Sequence, residues 1–459
     1  MSDVSYNSRL LHRTSALFIL LAGSAILYGQ TSNPTYRFNT NLGNIDVVLT
    51  PNVAPQTVAN FLNYVNQGLY NNSIFHRLVN GFVAQGGGYQ LINSTLTPIP
   101  AGAAIPNEFN VTNAQGTIAM ALTSNSSGVA EPNSATSEWF FNLVSNGGQL
   151  DSQLFTVFGQ TNAAGIAVLN KINALTPEDL SESTGFSDLT TVPLTSNNAF
   201  VLINSIVPVP VITSQGFESA ASFASSSLTG ISPGEIVAIF GTGLGPSQLT
   251  VNAPNASGVF SNSLAGTQVF FNGTAAPVIY TSYNQVSVVA PYGIGSLPTV
   301  SITVSYNGTE PASNLNFPVR AANPAIFTLN SSGTGDGAIE RFPAYDVIGA
   351  SNPASVGDTL ILFGEGYGAA TAATAVSDGT VVTSKLPVPA TPVTVLIDGQ
   401  PLSSGNILYS GGAPDLINGV LQVNFTVPQL NPGSHQIQLQ SGSGSSARTS
   451  PMGVTLQTK

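Results

Sequence analysis

Ile74-Phe-His-Arg-Leu-Val-Asn-Gly-Phe-Val-Ala-Gln-Gly-Gly87 sets one arginine among apolar residues and glycines. Cations are scarce around it: between Tyr36 and Val207 the only other basic side chains besides His76 are Arg37 and Lys171. An arginine so placed needs a reason. Taken alone, Arg77 either ties down a loop carbonyl or a nearby carboxylate, or it serves a reaction.

Upstream of this stretch, Pro55-Gln-Thr-Val-Ala-Asn-Phe-Leu-Asn-Tyr-Val-Asn-Gln-Gly68 predicts a helix. Pro55 suits its first turn, Gly68 its end, and Val58, Phe61, Leu62 and Val65 recur at i, i+3, i+4, i+7, placing one apolar stripe on a core. A second helix is expected over 165–175 from Ile166, Leu169, Ile172 and Leu175. Strand-like runs lie at 44–49, 117–122, 139–144 and 155–158. Residues 36–207 therefore read as a mostly β domain with two flanking helices.

The whole chain has 459 residues, 7% charged and 42% hydrophobic. That length allows about two to four domains, each able to bury a core. Disorder driven by charge is excluded, because charged residues are far below the usual quarter while apolar content is ordinary. Ten Lys and Arg against 21 Asp and Glu, with no basic run, argue against nucleic acid as a partner. Without cysteine there is no disulfide framework, thiolate metal site or cysteine nucleophile.

Arg9 and Arg13 precede the uncharged stretch Ala16-Leu-Phe-Ile-Leu-Leu-Ala-Gly-Ser-Ala-Ile-Leu-Tyr28, which small or polar residues follow. This predicts a signal peptide over 1–30 and an exported chain, periplasmic, cell-surface or extracellular. The run is too short for a stable membrane anchor. Cleavage near Gly29 would leave 8 basic and 20 acidic residues, a formal charge of −12.

Beyond Pro208 helix signals vanish and a repeat begins. Ser232-Pro-Gly-Glu-Ile-Val-Ala-Ile-Phe-Gly-Thr-Gly-Leu-Gly245 recurs as Ser355-Val-Gly-Asp-Thr-Leu-Ile-Leu-Phe-Gly-Glu-Gly-Tyr-Gly368. Phe271-Asn-Gly273 matches Ile397-Asp-Gly399, and Gln285–Pro291 matches Gln422–Pro428, at growing offsets that loop insertions explain. Short alternating strands between turn residues suggest two immunoglobulin-like β-sandwich modules, at 211–322 and 323–459. The glycines at 241–245 read as a strand-end turn rather than a nucleotide cradle, since Pro246 follows and no helix opens after them.

Phe75-His-Arg-Leu-Val-Asn-Gly-Phe-Val-Ala-Gln-Gly-Gly87 resembles the signature of the cyclophilin-type peptidyl-prolyl isomerases. The likeness continues in order through Glu108-Phe109, Gly116-Thr-Ile-Ala-Met-Ala121, Ser134-Ala-Thr-Ser-Glu-Trp-Phe-Phe-Asn-Leu143, Leu150-Asp151 and Val157-Phe-Gly159. It implies, for 34–208, a closed eight-stranded β-barrel with two helices. It also implies an isomerase needing no cofactor, metal, nucleophile or proton shuttle, with proline-containing segments of client proteins as partners. Amide resonance makes rotation about the peptide bond slow, at about 18–20 kcal/mol, and twisting restores a lone pair on the prolyl nitrogen that a donor can stabilise.

By the resemblance, Arg77 is that donor, and Arg77, Phe82 and Gln85 are the catalytic positions, Gln85 bonding the substrate backbone. Phe82, Val83, Phe140, Leu150 and Phe155 line the proline pocket, and Ala121 and Leu122 offer backbone groups. Each apolar residue alone could equally be barrel core. Several positions depart from the family. Val83 replaces a common Met, Trp139 a usual Phe, and Phe155 a frequent His or Tyr. Glu138 stands where Gln is common, and its carboxylate could pair with Arg77 and blunt it. Gln149 stands where members that bind cyclosporin tightly carry Trp, so weak inhibition by it is expected.

The tandem modules resemble a repeated IPT/TIG-like C-terminal unit of secreted soil-bacterial proteins. A second active site is not expected in them; tethering, client presentation, or a surface polymer or protein ligand is. The alternative for the whole chain is a non-catalytic secreted adhesive or scaffold protein whose barrel binds proline peptides. A carbohydrate-binding sandwich would draw only on scattered aromatics such as Tyr280, Tyr283 and Tyr367.

Overall fold

A computed structural model describes residues 33–311 and 314–459. The expected signal peptide, 1–30, lies outside the described residues. Among them no helix is long and apolar enough to cross a membrane. The chain divides at residue 209/210 into two compact units.

In the first unit the main sheet is built of β1 (Thr35–Thr40), β2 (Gly43–Leu49), β3 (Ser73–Val79), β4 (Val83–Ile92), β5 (Thr95–Pro98), β6 (Thr117–Met120), β7 (Trp139–Asn142), β8 (Val157–Thr161) and β9 (Leu202–Val209), beside a separate two-residue pairing of Pro177–Glu178 with Val192–Pro193. The hydrogen-bonded order β3-β9-β1-β2-β8-β6-β7-β4 closes on itself through β3–β4, so eight strands form a barrel and β5 extends the β4 hairpin. Closure leaves no free edge among those eight. Inside lie Phe38, Trp139, Phe141 and Phe158, all fully buried, with the Phe38 and Trp139 rings edge-on at 5.2 Å.

Two helices plug the barrel. Helix α1 (Pro55–Asn66) starts at the expected proline, and its open N-terminal donors are met from a distance: the Glu108 carboxylate accepts the Gln56 and Thr57 N–H groups at 3.1 and 2.8 Å. Its core face is Thr57, Val58, Phe61 and Tyr64, whereas Leu62 and Val65 are only partly buried. Helix α2 (Ala163–Asn173) is capped by the Asn162 side chain, which accepts from Ala164 and Gly165 N–H. It buries Val168, Leu169 and Ile172, while Leu175 falls beyond its end.

In the second unit, Ile236–Thr242 pairs with Gln285–Val289 as Thr359–Glu365 pairs with Leu421–Thr426, so the sequence repeat is a repeat of strand pairs. Asn272-Gly273 and Asp398-Gly399 make equivalent two-residue hairpin turns, every φ positive. Gly243 and Gly366, at φ +69° and +70°, likewise terminate equivalent strands. Each repeat forms a pair of facing antiparallel-dominated sheets around its own core.

The two sandwiches also share a third apolar cluster, joining Ile236, Phe260 and Tyr280 of the first to Phe327, Ile417 and Val420 of the second. At this junction two carboxylates are fully buried. Glu365 accepts from Ser219 Oγ and from Ala221 and Ile236 N–H at 2.6, 3.0 and 2.9 Å. Glu235 accepts from Ser232 N–H and Asn323 Nδ2 at 2.7 and 3.0 Å. Burial pushes both carboxyls up, Glu235 to about 8 with Glu365 adding to its shift, and Glu365 to about 7 against its own hydrogen bonds.

Candidate functional site

On the barrel exterior, a second apolar cluster is separate from the barrel core. Val83, Ala119, Phe140, Leu150 and Val157 are buried in it, and Phe82, Ala121 and Phe155 pack against them. Strand alternation produces this arrangement. On β7, Trp139 and Phe141 point in and Phe140 points out; on β4, Ala84 points in while Val83 and Gln85 point out. The Phe140 and Phe155 rings meet edge-on at 5.6 Å. All five residues assigned to the proline pocket thus come together outside the core.

A β-bulge aims Arg77. On β3, Phe75 opposes Gly86 and Arg77 opposes Gln85, so two steps on β3 match one on β4. The extra residue flips the alternation: Phe75 and Leu78 both reach the barrel core, and Arg77 faces outward. Gln85 is the register partner of Phe140 as well, which sets the cation beside the apolar cluster.

A chain of hydrogen bonds links the polar groups. Arg77 Nη1 donates to Gln85 Oε1 at 3.3 Å, and Gln85 Nε2 donates to Glu138 Oε2 at 2.6 Å. Among the described residues Arg77 has no ion pair within 4.0 Å. The direct Arg77–Glu138 pairing considered from sequence is therefore absent, because Gln85 stands between them. Burial lowers the Arg77 pKa while Glu138 raises it; an arginine nonetheless stays protonated. Burial opposes the charge on Glu138, but His76, Gln85 and Arg77 outweigh it and hold the carboxyl below its usual range. His76 is buried with Nε2 3.5 Å from Glu138 Oε2.

Of the backbone groups assigned to substrate, one is already engaged. Ala121 and Leu122 lie just past β6, and the Ala121 N–H is bonded to Glu138 C=O at 2.9 Å, so it is not free for a peptide. The Leu122 side chain packs on the barrel core rather than in the exterior cluster. Sequence reasoning missed an amide network behind the pocket. Asn146 Nδ2 donates to Phe82 C=O and to Asn142 Oδ1, each at 2.8 Å, and Asn142 donates to Asn113 Oδ1 at 3.1 Å. Asn113 Nδ2 in turn donates to Phe155 C=O and to Asp151 Oδ1, both at 3.1 Å. These bonds tie the backbones carrying Phe82 and Phe155 to one buried frame.

Residues 35–190 match the family model for cyclophilin type peptidyl-prolyl cis-trans isomerases, and 223–319 match that for the IPT/TIG domain. A peptidyl-prolyl cis-trans isomerase of Acinetobacter baylyi is 37% identical over 34% of this chain and 79% of its own length. Peptidyl-prolyl cis-trans isomerase B of Escherichia coli is 39% identical over 30% of this chain and 83% of its own. A solved Cryptosporidium parvum cyclophilin type isomerase, in the presence of the dipeptide Ala-Pro, is 24% identical, covering 38% of this chain and 97% of that one with a TM-score of 0.27. With the closed barrel, the ordered blocks and relatives covered over most of their length, the chain belongs to the cyclophilin type peptidyl-prolyl cis-trans isomerase family.

Proposed function

We propose that this chain is an exported peptidyl-prolyl isomerase that assists the folding of envelope or secreted proteins, its C-terminal sandwiches tethering it or presenting clients. The observation that carries the catalytic part is Arg77: a half-buried guanidinium without an ion-pair partner among the described residues, opposite Gln85 and beside an apolar cluster.

The apolar cluster of Val83, Phe140, Leu150 and Phe155 takes the proline ring. Arg77 then donates to the prolyl nitrogen as the C–N bond twists and the lone pair reappears. A flat amide nitrogen offers no such acceptor, so the interaction strengthens only toward the transition state, which is the condition for raising the rate. Gln85 holds the neighbouring backbone, giving up one of its present partners to do so. Phe82 closes the slot against water, leaving the cation less screened.

A protease-coupled isomerisation assay on the full chain tests this. Arg77→Ala should lose about 100- to 1000-fold in kcat/KM, the cost of one transition-state donor. Equal rates in parent and variant would reject the mechanism. Peptide binding without turnover in the parent would instead support the adhesive or scaffold reading. For export, intact-mass measurement on secreted protein should show loss of about the first thirty residues.

A further inference from the structure

We propose that Glu138 makes the groove select proline segments carrying a lysine or arginine close to the proline. The proposal rests on the isomerase reading above and adds the substrate class to it.

Glu138 immediately precedes β7 and lies two residues before Phe140, so both side chains leave the same outer face, about 6.5–7 Å apart along the strand. An extended peptide covers that distance in about two residues. A side chain one or two positions from the seated proline therefore comes level with the Glu138 carboxylate.

That carboxylate is half used. Oε2 accepts from Gln85 and faces His76, whereas Oε1 meets no donor among the described residues. The side chain is 38% exposed. Oε1 lies over Gly88, where a Cβ would come within 3.1 Å of it and 2.9 Å of His76 Cε1. Gly88 has no left-handed φ that would require glycine; its missing Cβ leaves room for both the His76 ring and this oxygen. Gln85 stands between Arg77 and Glu138, so the guanidinium makes no hydrogen bond to the carboxylate and does not take up Oε1.

No other cation of this unit competes. Arg37 is paired with Asp46 at 2.7 Å, and Lys171 donates to Leu42 C=O at 3.1 Å. A substrate ammonium or guanidinium supplies the missing donor with the opposite charge, whereas a substrate carboxylate there meets like charge.

The test uses the full chain and fluorescent proline peptides identical except for Lys, Gln or Glu at the second residue on either side of the proline. Both kcat/KM and Kd are measured. The Lys peptide should exceed the Glu peptide by about 3- to 10-fold on one side of the proline, the size expected of a partly screened pair. The ratio should shrink as salt shortens the screening length. Glu138→Gln should bring it close to one, whatever it does to the absolute rate. A charge preference in Kd without turnover would keep this inference and sink the isomerase reading. Turnover or binding indifferent to charge, or a preference that survives Glu138→Gln, would overturn the inference and leave the isomerase reading intact.

Discussion

Arg77 spends one N–H of its guanidinium on Gln85, so a second N–H of the same planar fork must serve the substrate. Arg77→Lys keeps a cation but loses the planar fork, so kcat/KM should fall by about tenfold or more while the melting temperature hardly moves. Asn146→Ala removes the side-chain bonds to Phe82 C=O and Asn142 Oδ1, leaving Phe82 C=O held by Leu143 N–H and Asn142 by Asn113. It should cost about 1–3 kcal/mol in denaturant unfolding and raise KM as Phe82 loses one of its two carbonyl bonds. Gln149 is exposed and offers no indole, so a binding titration with cyclosporin should show weak inhibition. The apolar site residues were legible because motif order fixed them. Asn113, Asn142 and Asn146 were not, since nothing local tells which amides will meet across strands and loops.

At the scale of elements, the bulge at His76 decides whether Arg77 faces the groove or the core. Periodicity cannot reveal an inserted residue whose only signature is a change of parity. Both helices were legible from their spacing, but Tyr64 took the core position expected of Leu62 and Val65. Its hydroxyl accepts the Gly102 N–H at 2.7 Å, a partner far along the chain. The cap of α1 is also remote. Glu108→Ala should lower stability by about 1 kcal/mol in thermal unfolding. Burial opposes the Glu108 charge, but its bonds to Thr57 and Gln56 prevail and depress its pKa. Its contribution is therefore full above the unfolded value of 4.5 and is lost as pH falls through the lower folded value. Acid titration should show the parent and variant converging.

At the scale of the molecule, the repeat announced two sandwiches but not the cluster and the paired carboxylates they share. Such a junction depends on surfaces that look like ordinary strand faces in sequence. Glu235 and Glu365 bind protons more tightly folded than unfolded, so their stabilising effect is complete below about 4.5 and fades as pH rises toward about 8. Denaturant melts of the second unit's β signal across that window should show declining stability, and Glu235→Gln should flatten the decline. A profile independent of pH in the parent would contradict the buried pair. The first unit offers a different handle. Trp139 is the chain's single tryptophan, enclosed by the edges and faces of Phe38, Phe75 and Phe141. Indole emission from the whole chain consequently originates in the barrel alone, and a red shift on heating or ligand addition reports that half while the sandwiches stay dark.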